Sequence, residues 1–261
     1  MASLYKTAAA VCLVALYGLQ SEAADKTIAY KFKALNVDDD AYMAANLVRN
    51  GRLAVHISEV AKDESLVTGL QKKVEPNKDL EQRDVTPEDS CKKVMENAGL
   101  KDIFHHAFTY KASNNYRELF QEALDAGLKV FKPKGYQGNW EEIWTDDDGA
   151  NLAYLLGSNS TKMGCVIGQC IKVETDNTGG RISTEEQTGE DFLFCELSPA
   201  AEENKAPFDE EYFKGLITRT AKLAEMTEED LKASTNDGTA ATAVPTILAA
   251  SLVAMVTAIS V

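Results

Sequence analysis

MGCVIGQCIKV at residues 163–173 and FLFCELSP at residues 192–199 decide the fold of this chain. The first run mixes Val, Ile and Cys with small residues. The second is short, apolar and closed by Ser198-Pro199. Runs of β-branched and aromatic residues bounded by Gly, Pro or Asn read as strands. Residues 175–190 lie between them, are rich in Gly, Thr and Glu, and read as an exposed loop. The two strands are expected to pair antiparallel at the centre of the molecule. A hairpin alone is not stable in water, so helices must pack on it.

Working outward, KTIAYKFKAL at 26–35 alternates as an edge segment does. Asp38, Asp39 and Asp40 precede a helical pattern with Ala44, Leu47, Val48, Gly51 and Val55 on one face. Negative charge suits a helix N-terminus. Residues 62–83 are charged and weakly patterned, a loop with a little helix. Thr86-Pro87-Glu88-Asp89 starts a helix whose buried stripe is Cys91, Val94, Met95 and Ala98. Residues 104–110 alternate as a strand. Asn115 and Glu118 resemble a capping box for the next helix, which buries Leu119, Phe120, Ala123, Leu124 and Leu128. Trp140 and Trp144 follow, then an acidic turn at 146–149. Residues 209–223 form an amphipathic helix, and a short one starts at Thr227. No internal repeat or second domain is visible. The expected class is α/β in the α+β sense, with helices on a central antiparallel sheet stapled by disulfides.

The chain has 261 residues, 44% of them hydrophobic, enough for one domain of about 200 residues once processed ends are removed. A net charge of -14 excludes nucleic acid as an expected partner, because phosphate binding needs clustered Lys and Arg. The front, 1–23, reads as a signal peptide: Lys6, then apolar residues 8–19, then Ser21-Glu22-Ala23. About a dozen apolar residues are too few to span a bilayer. Residues 24–233 form the body. The rear, 234–261, has small residues, a Thr/Ala spacer and the apolar stretch 244–261, the pattern of a glycosylphosphatidylinositol attachment signal. Asn236 is the expected attachment residue, with Gly238 and Ser234 as alternatives. Pro245 and the lack of a following Lys or Arg argue against an ordinary spanning helix.

Cys12 leaves with the front segment, and Cys91, Cys165, Cys170 and Cys195 remain. An even count in a secreted chain implies two disulfides, with three pairings open. Cys165 and Cys170 are five apart, so on one strand they face opposite ways and take different partners. The pairing taken is Cys170–Cys195 across the hairpin and Cys91–Cys165 from helix to sheet.

Little in the chain points to catalysis. The histidines are His56, His105 and His106, and no zinc-protease, nucleophile-elbow, phosphate-loop or dinucleotide fingerprint is present. The acidic runs 38–40 and 146–148 lack the spacing of a calcium loop and are explained by capping and turns. No enzyme activity and no cofactor are expected. Asn159-Ser160-Thr161 is an N-glycosylation sequon in a turn. The segment 129–134 (KVFKPK) is the compact basic stretch, and at -14 the body should bind heparin weakly.

NSTKMGCVIGQC at 159–170 resembles the segment after the histidine motif of CAP-superfamily proteins, the cysteine-rich secretory, antigen 5 and pathogenesis-related group. FLFCELSP resembles their later strand, and AANLVRNGR at 44–52 weakly resembles their first helix. Together with the acidic body, the front signal and the tail TAVPTILAASLVAMV, the chain resembles the Eimeria surface antigen (SAG) family. That resemblance implies a three-layer α-β-α sandwich and lipid-anchored display on a parasite surface. It also implies a role in host-cell attachment and in stimulating host immune responses. Counted against the CAP pattern, two cavity histidine positions fall on Ala45 and Asn151, neither a good zinc ligand. No metal site is carried over. The leading expectation is a monomeric, non-enzymatic surface antigen that contacts host cell-surface or immune molecules. The alternative is an extracellular carrier of a small apolar ligand such as a lipid or sterol.

Overall fold

The protein is represented by a computed structural model that describes residues 26–76, 90–111, 114–176 and 182–232. The front signal, the helix start at 86–89 and the tail 234–261 lie outside the described residues. In chain order the elements are β1 (Lys26–Asn36), α1 (Asp39–Asn50), β2 (Ala61–Lys62), α2 (Glu64–Val74), α3 (Cys91–Asn97) and β3 (Phe104–Phe108). Then come α4 (Tyr116–Lys134), α5 (Trp140–Trp144), α6 (Asp147–Leu155), β4 (Lys162–Asp176), β5 (Ile182–Ser198) and α7 (Glu210–Thr218). Two 3-10 turns, Leu223–Glu225 and Glu228–Leu231, complete the set.

β4 and β5 are the central antiparallel pair. β1 lies outside β4 and β3 outside β5, both antiparallel, while the short β2 joins the start of β4 in parallel. Alternation along β4 divides the core. Val166 and Cys170 face one side with Phe32, Phe192 and Phe194, under Val67, Leu70 and Val74 of α2 and Cys91 and Met95 of α3. Met163, Cys165 and Ile167 face the other side with Leu193 and Cys195, under α1, α4, α6 and α7. Helices cover both faces, so the fold is a three-layer α-β-α sandwich.

Two glycines of the central motif set these distances. A Cβ on Gly164 would stand 2.6 Å from the backbone of Leu66, where α2 crosses β4. A Cβ on Gly168 would stand 2.7 Å from the Phe194 ring. The acidic residues work locally as caps. Asp38, Asp63, Asp146 and Asp209 each accept backbone N–H groups at the start of α1, α2, α6 and α7. Residues 146–149 are therefore the entry to a helix rather than a free turn.

Further expectations need correction, and the helix expected over 209–223 ends at Thr218. Residues 175–190 are mostly strand: β4 runs to Asp176 and β5 starts at Ile182, and 177–181 lie outside the described residues. The ribbon is polar on both faces there, so alternation gave no signal, but ladder hydrogen bonds hold it. Residues 64–74 form a full helix, because Val67, Leu70 and Val74 share a face that the surrounding Lys and Glu conceal. The disulfides join Cys91 to Cys170 and Cys165 to Cys195, not Cys91 to Cys165 and Cys170 to Cys195. The register explains this. Cys165 stands directly opposite Cys195 in the ladder, while Cys170 falls on the other face, toward α3. Cys165 and Cys170 do have different partners, as their spacing required.

Candidate functional site

The most unusual group in the protein is a fully buried arginine. Ala41, Ala45 and Arg49 lie four residues apart along α1, on the face turned into the core, and each is 0% exposed. The small alanines leave room, and Arg49 reaches past them to the segment between α6 and β4. Its Nη1 donates to Leu155 O at 2.6 Å. Its Nη2 donates to Ser58 O at 2.6 Å, Gly157 O at 2.9 Å and Ser160 O at 3.2 Å, and Nε also donates to Ser58 O. The Tyr212 hydroxyl donates to Arg49 O at 2.6 Å. The cation is compensated by carbonyl dipoles, and burial pulls its pKa down to about 10, so it stays charged at neutral pH. This arrangement fixes the loop leading into β4. It sets the position of the exposed Asn159 sequon but offers no free group to a ligand.

Three further arginines act at the same end. Arg219 Nη1 donates to Leu47 O, Val48 O and Gly51 O at 2.9–3.1 Å, at the C-terminus of α1, where Leu47 O also accepts from the Gly51 N–H at 2.9 Å. Arg52 holds Asp230 at 2.7 Å and Glu225 O at 2.9 Å. Arg117 donates to Leu223 O and Met226 O. Residues 219–231 thus form a strap clasped to the end of α1, with Leu223 and Met226 buried beneath it. The sequence contained one sign of Arg49, namely an arginine continuing a row of buried alanines. For Arg219 it contained none.

The two positions marked by the CAP resemblance have structural duties. Ala45 is a packing residue. Asn151, on α6, accepts from the His105 backbone N–H at 2.7 Å and donates to the His105 carbonyl, which docks α6 on β3. Both ends of its amide are occupied. The histidines do not converge. His56 Nε2 is 2.9 Å from Leu53 O, His105 Nδ1 is 3.0 Å from Ile103 O, and His106 Nε2 is 3.1 Å from Glu122. Among the described residues no three His, Cys, Asp or Glu side chains gather in a metal-holding group. Burial lowers the His105 pKa, and it raises that of Asp191, whose carboxylate accepts from the Cys170 N–H at 2.9 Å. Lys134 of the basic segment pairs with Glu142 at 2.8 Å. A shallow depression of about 480 Å³ lies between the end of α4 and α7, bordered by Tyr136, Gln137, Glu210, Phe213, Lys214 and Ile217. Its lining mixes charges with apolar groups. No helix among the described residues is long and apolar enough to cross a membrane.

No protein-family model matches the chain, and no curated protein matches it. Among solved structures, the Eimeria tenella surface antigen SAG19 aligns with a TM-score of 0.44 at 20% identity, over 71% of this chain and 97% of that one. Hookworm platelet inhibitor aligns with a TM-score of 0.39 at 14% identity, over 67% of this chain and 79% of that one. NaASP2 with Zn2+ aligns with a TM-score of 0.34 at 11% identity, over 65% of this chain and 80% of that one. At these identities the likeness extends no further than the fold.

Proposed function

We propose that the protein is a non-enzymatic cell-surface antigen, delivered by the secretory pathway and held on the outer leaflet by a glycosylphosphatidylinositol anchor at Asn236. It acts as a monomer through contact with host cell-surface or immune molecules. The observation that carries this reading is the cystine framework. All four cysteines of the body pair, and all four are buried at 1–2% exposure or less. Such pairs persist in oxidising compartments and not in the cytosol. The front and rear segments of the sequence fit the same route. So does the use of Ala45 and Asn151 for packing and docking, which leaves neither position to serve a reacting group.

Phosphatidylinositol-specific phospholipase C applied to cells displaying the full chain should release it into the medium. Retention, beside an anchored control protein that is released, would overturn the anchor. A stoichiometric lipid or sterol extracted from the purified protein would favour the carrier reading instead.

A further inference from the structure

Asn159-Ser160-Thr161 is the only Asn-x-Ser/Thr triplet in the chain, and the fold leaves its two recognised side chains at the surface. Asn159 and Thr161 are exposed. Ser160 between them is 1% exposed, and its Oγ donates to Pro199 O at 2.6 Å. An oligosaccharide is bulky and needs such a surface position. On the Asn159 amide it would stand at the end of the sheet where β4 begins, without disturbing the packing beneath.

The backbone around the triplet is closed. The Ser158 N–H donates to Pro207 O at 2.8 Å, the Ser160 N–H to Gly157 O at 3.1 Å and the Thr161 N–H to Ser198 O at 3.0 Å. Ser158 O accepts from the Ser58 N–H at 3.2 Å and Thr161 O from the Ala61 N–H at 2.9 Å, while Ser160 O accepts from Arg49 Nη2 at 3.2 Å. A transferase that reads Asn and Thr two residues apart must take the segment as free chain, so the folded turn is not a substrate. Several of the closing partners are made late. Pro199 follows Ser160 by 39 residues, and Cys195 follows its partner Cys165 by 30. At about 5–20 residues per second, synthesis leaves roughly 2–8 s between the triplet and Pro199.

We propose that Asn159 carries an N-linked oligosaccharide, added while the segment is still open, and that closure over Arg49 then hides the turn from the transferase. This rests on the secretory route given above. The Asn159 amide nitrogen attacks C1 of the first sugar of a polyprenyl-diphosphate oligosaccharide. The N–C1 bond forms, the C1–O bond to the diphosphate breaks, the polyprenyl diphosphate leaves, and the amide proton passes to the transferase.

Two experiments on the full chain test it. In the first, the chain is expressed in animal cells and digested with peptide-N-glycosidase F. Its mobility should change by one glycan, and Asn159→Gln and Thr161→Val should each abolish the change. A chain with both disulfides formed and no glycan overturns this proposal and leaves the secretory route intact. A chain whose cysteines stay reduced overturns both. A glycan that persists in Asn159→Gln places the modification elsewhere and also overturns it. In the second, the chain is made with oligosaccharide donor synthesis blocked, then offered to microsomal transferase with a polyprenyl-diphosphate oligosaccharide. The disulfide-intact form should be modified several-fold less than the same chain reduced and alkylated. Equal modification of the two forms overturns the order of events. An antibody that requires intact disulfides reports that each variant is folded.

Discussion

The two faces of the central sheet are held by different means. One carries α2 and α3, 11 and 7 residues long, over the edge-to-face rings of Phe32 with Phe192 and Phe194. The other carries α1, α4, α6 and α7 over a larger apolar core, cross-linked by Arg49, Tyr212 and Asn151. A seven-residue helix cannot sustain itself in water. The thin layer therefore depends on the covalent tie from Cys91 to Cys170. The thick layer has area enough to hold its helices and instead uses buried hydrogen bonds to fix where they sit.

The largest effect should come from the thick layer. Arg49→Met keeps the volume but strips hydrogen bonds from the carbonyls of Ser58, Leu155, Gly157 and Ser160. A loss of roughly 3–5 kcal/mol is expected, from several buried carbonyls losing their donor at about 1–3 kcal/mol each, read as a shift in the urea midpoint. A loss under about 1 kcal/mol would mean that apolar packing alone positions that layer.

Next comes the thin layer. The double change C91A/C170A opens a closure spanning 79 residues and should cost about 2–4 kcal/mol. Hydrogen exchange should rise in α3 and α2 and stay slow in α4. In C165A/C195A, whose closure spans 30 residues, protection should fall on both faces together. If α3 stays protected in C91A/C170A, the contrast between the faces fails.

The smallest effect is with pH. Burial lowers the folded pKa of His105 below its ordinary 6.5, so the unfolded chain binds the proton more readily. Its stabilising contribution is full above 6.5 and is lost as pH falls toward the folded value. Asp191 acts with the opposite sign. Its folded pKa is raised above 3.8, so its cost grows as pH rises through that window and eases again on strong acidification. Thermal melts should show a decline from pH 7 toward pH 5 that His105→Gln flattens. An unchanged slope in that variant would place the titration elsewhere.

Much of this was legible along the chain. Asp38, Asn115 and Asp209 cap helices where the pattern placed them, and β1 is an edge strand at the expected residues. α2 was missed because its apolar face is only Val67, Leu70 and Val74 among charged neighbours. The outer ribbon of β4 and β5 was missed because a strand that is polar on both faces carries no alternation. Of the candidate site, the resemblance singled out Ala45 and Asn151, but their packing and docking tasks were not visible, since docking α6 on β3 joins residues 46 apart in sequence.

From the sequence alone came what neighbours along the chain decide: where helices start, which residues alternate, how the acidic charge accumulates, and that Cys165 and Cys170 could not share a partner. The tertiary structure decided the rest. Which cysteine meets which depends on the β4–β5 register, and that is set by both strands and both helical layers together. Whether Arg49 is a surface charge or a buried clasp depends on carbonyls more than a hundred residues away, brought to it only when the loop before β4 closes over α1.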